Sequence, residues 1–124
     1  MTFTFDTGML VALERRKPRA TAAFRNIARR GQVPVVPPVV YAEWWRGRTD
    51  VREAIVAAVL VEDMREDLCR AAGEALAAVA GSSLADAIVM ASASLRGGGI
   101  VYTSDPRDLG RFDRHFPNVL VLAV

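Results

Sequence analysis

The sequence predicts an α/β fold in which a mostly parallel sheet is covered on both faces by helices. Three observations point there. Short apolar runs alternate with segments of helical period along the chain, the order expected of successive βα units. Nearly every run is continuously apolar rather than alternating, as strands buried on both faces are. Acids stand in the turns after two of these runs, at Asp6 and Asp105, and ligands of open α/β sheets bind beyond the carboxyl ends of the strands.

The elements follow in order. Thr2 to Phe5 reads as a short strand, and Asp6-Thr7-Gly8 leads into a helix carrying Met9, Leu10, Ala12 and Leu13. Asp6 alone fits a helix N-cap. Pro18 to Arg30 is a second helix, with Ala22, Ala23, Ile27 and Ala28 inward and Gly31 at its end. Arg15, Arg16, Lys17, Arg25, Arg29 and Arg30 form a basic cluster, suited to a solvated face or to a nucleic-acid contact. Gln32 to Val36 is a second strand, stopped by Pro37-Pro38, which open a helix over Val39 to Arg46. Glu43 in that helix has no base within the four residues before it, and Arg46 at i+3 is its candidate partner. Trp44 and Trp45 suit the core or a self-association surface.

Arg48 to Ala54 is ambiguous, and Ala58 to Val61 suits a third strand or a continuing helix. From Asp63 a helix carries Leu68, Ala71, Ala72, Ala75, Leu76 and Val79 at helical spacing. Glu62, Asp63, Glu66 and Asp67 gather at its start, where the helix dipole favours acids. The next helix organises the chain. Ala85, Ile88, Val89, Ser92 and Leu95 form one apolar face, and Ala87, Met90, Ala91 and Ala93 leave almost no polar one. Asp86 lies in its first turn, where Ser83 and Asp86 resemble a capping box. A carboxylate in so apolar a helix otherwise needs a compensating partner. After Gly97-Gly98-Gly99, Ile100 to Thr103 is a buried strand. It runs into Ser104-Asp105-Pro106-Arg107-Asp108-Leu109, an ordinary helix start with Asp105 as N-cap and Pro106 at N1. Val119 to Leu122 is the last strand.

Composition narrows the classes. The 124 residues fit one domain, 1–124, and a hydrophobic content of 52% supplies a full core, against a disordered or fibrous reading. No apolar run approaches the roughly 18 residues of a membrane span, and the first residues lack the basic start of a signal peptide. One cysteine, Cys69, excludes an internal disulfide, and one histidine, His115, excludes a His-rich metal site. Both fit a cytoplasmic protein, with Cys69 packed as a small apolar residue. The net charge of +2 comes from 16 basic residues, of which only Lys17 is not arginine, against 14 acidic ones. With four acids gathered in one site, the remaining surface favours a polyanionic partner.

Those four are Asp6, Glu43, Asp86 and Asp105. Asp6 and Asp105 fall at strand ends, and Glu43 and Asp86 in first turns of helices that can sit at the same edge. Each is set among apolar residues without an obvious ion-pair partner. Crowded carboxylates raise each other's pKa; a divalent cation resolves the conflict, and all-oxygen ligation selects Mg²⁺ or Mn²⁺. Such an ion acts naturally on phosphate esters.

Asp6-Thr7 after an apolar strand, Glu43 in an apolar helix, Ala85-Asp86-Ala87-Ile88 and Thr103-Ser104-Asp105-Pro106-Arg107-Asp108-Leu109, in this order, resemble the PIN-domain family. More narrowly, they resemble the VapC-type toxins of bacterial toxin–antitoxin pairs. The resemblance implies a three-layer α/β/α sandwich around a roughly five-stranded sheet. It implies a Mg²⁺-dependent endoribonuclease in which Mn²⁺ can substitute, leaving a 5′-phosphate and a 3′-hydroxyl. It further implies a homodimer inhibited by a cognate VapB-type antitoxin. Asp6, Glu43, Asp86 and Asp105 would be metal ligands or water-orienting bases, and Asp108 a support for a second ion. Thr7, Thr103 and Ser104 would orient the carboxylates. The competing reading is a catalytically silent PIN-like binding or dimerisation module whose acids serve only as caps. An aspartyl-phosphate chemistry fits poorly, since position 8, where a second acid would stand, is Gly8.

Overall fold

In the computed structural model, which describes residues 1–124, the alternating pattern folds into five strands and seven helices. They are β1 (Thr2–Phe5), α1 (Thr7–Glu14), α2 (Pro18–Arg29), β2 (Val35–Val36), α3 (Pro38–Trp44) and α4 (Asp50–Ala57). There follow β3 (Leu60–Val61), α5 (Glu66–Ala78), α6 (Leu84–Leu95), β4 (Gly99–Thr103), α7 (Pro106–Gly110) and β5 (Val119–Ala123). The sheet has the order β3-β2-β1-β4-β5, and every pairing is parallel.

Alternation along β1 shows the layers. Phe5 meets Phe24 of α2 edge-on at 5.6 Å. Thr4 points to the opposite face, where its hydroxyl accepts from Arg96 just beyond α6. Helices therefore cover both sides of the sheet. The central helix α6 is buried continuously from Ala87 to Ala93, with α5 packed along it through Leu68, Ala72 and Ala75. Full burial of a side chain such as Phe5 or Leu10 contributes about 1.5–3 kcal/mol.

The order of the strands positions the site. From β1 the chain builds outward through β2 and β3, then crosses to β4 on the other side of β1. The connections after β1 and β4 therefore diverge at a topological switch point, the place where such sheets open a crevice.

Several expectations are corrected. The second strand is Val35–Val36 rather than Gln32 to Val36, because Pro34 has no N–H to donate. The ambiguous middle holds both candidates in succession, α4 and then β3. On α2 the buried residues are Ala20 and Ile27, while Ala22 and Ala28 are exposed. Leu95 is 44% exposed at the end of α6, and Cys69 is exposed rather than packed. The edge strand β5 is covered on one face only, with Leu120 55% exposed.

Glu62 is not a helix-start acid. It follows β3 and is buried, with Arg96 at 3.1 Å and Arg65 at 3.5 Å. The Ser92 hydroxyl donates to Glu62, and Arg96 donates to both Ser92 and Thr4. One ionic network thus ties the end of β3 to α6 and β1.

Candidate functional site

Asp6 stands where β1 ends. Its Oδ1 accepts the Met9 N–H at 3.1 Å, so it caps α1 as expected. Its Oδ2 accepts the Thr103 hydroxyl from the end of β4, and its own N–H donates to the Tyr102 carbonyl at 3.2 Å. One residue therefore ties the ends of the two strands together. Burial pushes the Asp6 carboxyl from 3.8 up to about 6, against the lowering effect of the Thr103 and Met9 hydrogen bonds; the negative charge of Asp86 adds to the rise.

Asp86, half-buried, enters from α6. Ser83 caps that helix by accepting the Asp86 N–H at 3.1 Å. Burial raises the Asp86 carboxyl above its ordinary range, a hydrogen bond with Ser83 opposes this, and the charges of Asp108, Glu43 and Asp105 raise it further. Those interactions bring all five predicted acids within one electrostatic neighbourhood.

Glu43 lies in the last turn of α3 rather than in a first turn, and it is exposed. Thr7 donates to its Oε1 at 2.9 Å. Arg46 does not pair with it. The helix stops at Trp44 and Trp45 is extended, so the i,i+3 geometry is lost.

Asp105 occupies the N-cap position of α7, yet its side chain makes no capping bond. Its N–H instead donates to Thr103 Oγ1 at 3.0 Å. Thr103 is thus fixed between Asp105 and Asp6, and the Asp105 carboxylate is left facing solvent. Asp108, in the first turn of α7, is exposed as well. The expectation that each of the four acids is embedded in apolar surroundings holds for Asp6 and Asp86 and fails for Glu43 and Asp105, which are exposed.

None of the five carboxylates has an ion pair; every salt bridge in the chain involves Glu14, Glu62, Glu66 or Asp67. As the side chains stand, no three acidic, histidine or cysteine groups converge closely enough to hold a metal ion. The donor set itself is all oxygen, negative and without a basic partner, which fits a hard divalent cation.

Residues 3–115 match the model of the PIN domain. The chain belongs to the PIN-domain family. This PIN domain is similar in structure to VapBC2 from Rickettsia felis bound to a promoter DNA fragment. The TM-score is 0.76 at 12% identity, covering 100% of this chain and 99% of that one. It is similar to DNA-bound VapBC from Salmonella typhimurium, with a TM-score of 0.76 at 16% identity, covering 99% and 98%. It is also similar to a toxin–antitoxin complex from Klebsiella pneumoniae, with a TM-score of 0.70 at 17% identity, covering 96% of each chain. A comparison with curated protein sequences gives no match.

The part that Gly8 plays in shaping the site of this PIN domain was not legible in the sequence. Ser104 packs directly on the backbone of Gly8, and a Cβ at position 8 would overlap its hydroxyl. The only local signal was a glycine directly after Asp6-Thr7, where a helix former would serve the first turn of α1 better.

Proposed function

We propose that this PIN domain is the toxin of a VapBC-type pair, a metal-dependent endoribonuclease. The observation that carries the reading is that Asp86 lies within reach of the charges of Asp6, Glu43, Asp105 and Asp108, and that none of the five has a salt bridge. A fold that used these acids only as caps would have no reason to bring them together.

On this reading Asp6, Glu43, Asp86 and Asp105 would hold Mg²⁺ or orient the attacking water, with Mn²⁺ able to substitute, and Asp108 would support a second ion. When bound, the cation supplies charge neutralisation at the phosphate and lowers the pKa of water. The chain's own residues do the rest. The Met9 N–H and the Thr103 hydroxyl fix both oxygens of Asp6. The Thr7 hydroxyl aims Glu43. Ser104, next to Asp105, packs against Gly8 at the start of α1. Water attacks phosphorus in line and gives its proton to a carboxylate, the P–O3′ bond breaks, and the leaving 3′ oxygen takes a proton from solvent. The products are a 5′-phosphate and a 3′-hydroxyl.

A cognate VapB-type antitoxin is the natural inhibitor, given that the structural neighbours are such complexes. We further propose a homodimer acting in the cytoplasm. No helix is long and apolar enough to cross a membrane.

The test is digestion of total cellular RNA by antitoxin-free protein with Mn²⁺, with EDTA, and as the Asp86→Asn variant. Discrete fragments that require metal and vanish in the variant support the nuclease. Absence of cleavage together with an unchanged melting temperature on adding Mn²⁺ leaves the silent binding module as the better reading.

A further inference from the structure

A groove of about 440 Å³ opens beside the carboxylates, and Thr7 and Glu43 form part of its wall. Three arginines line it, Arg15, Arg46 and Arg52. Arg52 is committed: it lies 3.1 Å from Glu14 and donates to the Gly47 carbonyl at 3.0 Å. Glu14 is equally committed, since it also accepts the Trp44 indole N–H at 3.0 Å. The other acid of the groove is thereby neutralised. Arg15 and Arg46 are exposed and make no ion pair.

The groove therefore offers two uncommitted guanidinium forks next to a cluster of acids. An occupant must suit both. A basic peptide would favour the acids and be repelled by the arginines; an acidic peptide would do the reverse. A nucleic-acid strand satisfies both at once, with one phosphate at the cation held by the acids and neighbouring phosphates on the arginines. We propose that Arg15 and Arg46 grip backbone phosphates next to the one cleaved, making this groove the track along which single-stranded RNA enters the site. The proposal rests on the nuclease reading above for its substrate, but its test does not require cleavage.

That test measures binding of a fluorescently labelled single-stranded RNA by anisotropy, with Mg²⁺ held constant so that the acids stay compensated, and with the full chain carrying Asp86→Asn to suppress cleavage. Arg15→Ala with Arg46→Ala should weaken binding about tenfold at low salt. It should also make the slope of log affinity against log salt shallower by about 1.4, two phosphates at roughly 0.7 each. Arg15→Lys with Arg46→Lys should keep most of the slope, because the charges remain. Arg70→Ala, which removes an exposed arginine paired with Glu66 on α5, should change neither quantity. An unchanged slope in the alanine pair, or the same loss in Arg70→Ala, overturns the proposal. So does a pair that binds RNA normally and instead loses its antitoxin, which would assign the groove to the protein partner. RNA held with the expected slope but never cut by the wild-type chain would remove the nuclease reading and leave the groove standing.

Discussion

Asp6 carries two duties that oppose each other. As the cap of α1 and partner of Thr103 it supports the fold, yet its burial makes the ionised form costly. Its folded pKa of about 6 lies above the ordinary 3.8, so between those values the folded chain holds a proton that the unfolded chain has released. Stability from this carboxyl is therefore fullest in acid and falls as pH rises from about 4 to 6, by about 2–3 kcal/mol. Asp6→Asn keeps an acceptor for Met9 and removes the charge. In EDTA it should be more stable than the wild type by about 1–2 kcal/mol at pH 8 and equal to it near pH 4, as read from urea denaturation. A variant less stable at both pH values would mean that the hydrogen bonds, not the charge, dominate. The same substitution should abolish cleavage, and Asp86→Asn should lower the rate by a factor of at least about 10².

At the scale of elements, two contacts hold the crevice open in its present shape. The first is the close approach of α1 to the turn after β4. Gly8→Ala places a methyl group against Ser104, and overpacking of this kind costs about 1–3 kcal/mol. Beyond lost stability, the variant should lose activity while still folding, because the displaced turn carries Asp105. The second contact is the network of Glu62, Ser92, Arg96 and Thr4, which ties β3 and β1 to α6, the helix that carries Asp86. Burial lowers the Arg96 pKa, and Glu62 offsets the effect. Arg96→Met leaves the Glu62 carboxylate with the Ser92 hydroxyl and, as its one cation, the more exposed Arg65, and should cost about 2–4 kcal/mol. Adding Glu62→Met should return much of that loss, because an apolar pair of similar volume often replaces a buried ion pair without penalty. Equal denaturation midpoints for wild type and Arg96→Met would show the network to be inert.

Across the whole molecule, a cation that binds the folded chain alone should raise its stability. At a Mn²⁺ concentration 100 times the dissociation constant, the gain is about 2.7 kcal/mol. Thermal melts should show it for the wild type at pH 8, show it weakened below pH 6 where Asp6 keeps its proton, and show none for Asp6→Asn. A wild type whose melting temperature ignores Mn²⁺ at every pH would remove the metal centre.

The fold class and most of the carboxylate positions were legible in the chain because they depend on neighbours in sequence. Asp6 follows a strand and caps the helix after it, Asp86 sits one turn inside a helix begun by Ser83, and Asp105 precedes a proline at N1. Local rules of strand, turn and cap are enough for each. Other features depend on residues far apart in sequence, which no periodicity encodes. Thr103 reaches Asp6 across 97 positions, and Glu43 finds Thr7 across 36, while the nearby Arg46 is carried away by an early helix end. Glu62 looked like one more acid at a helix start, yet packing made it the buried centre of an ionic network. The chain could thus declare that Asp6, Asp86 and Asp105 stand at a turn or a helix start, and it misplaced Glu43 and Glu62. Which partners they meet was set by the parallel sheet, whose switch point brings the ends of β1 and β4 together and α6 down between them.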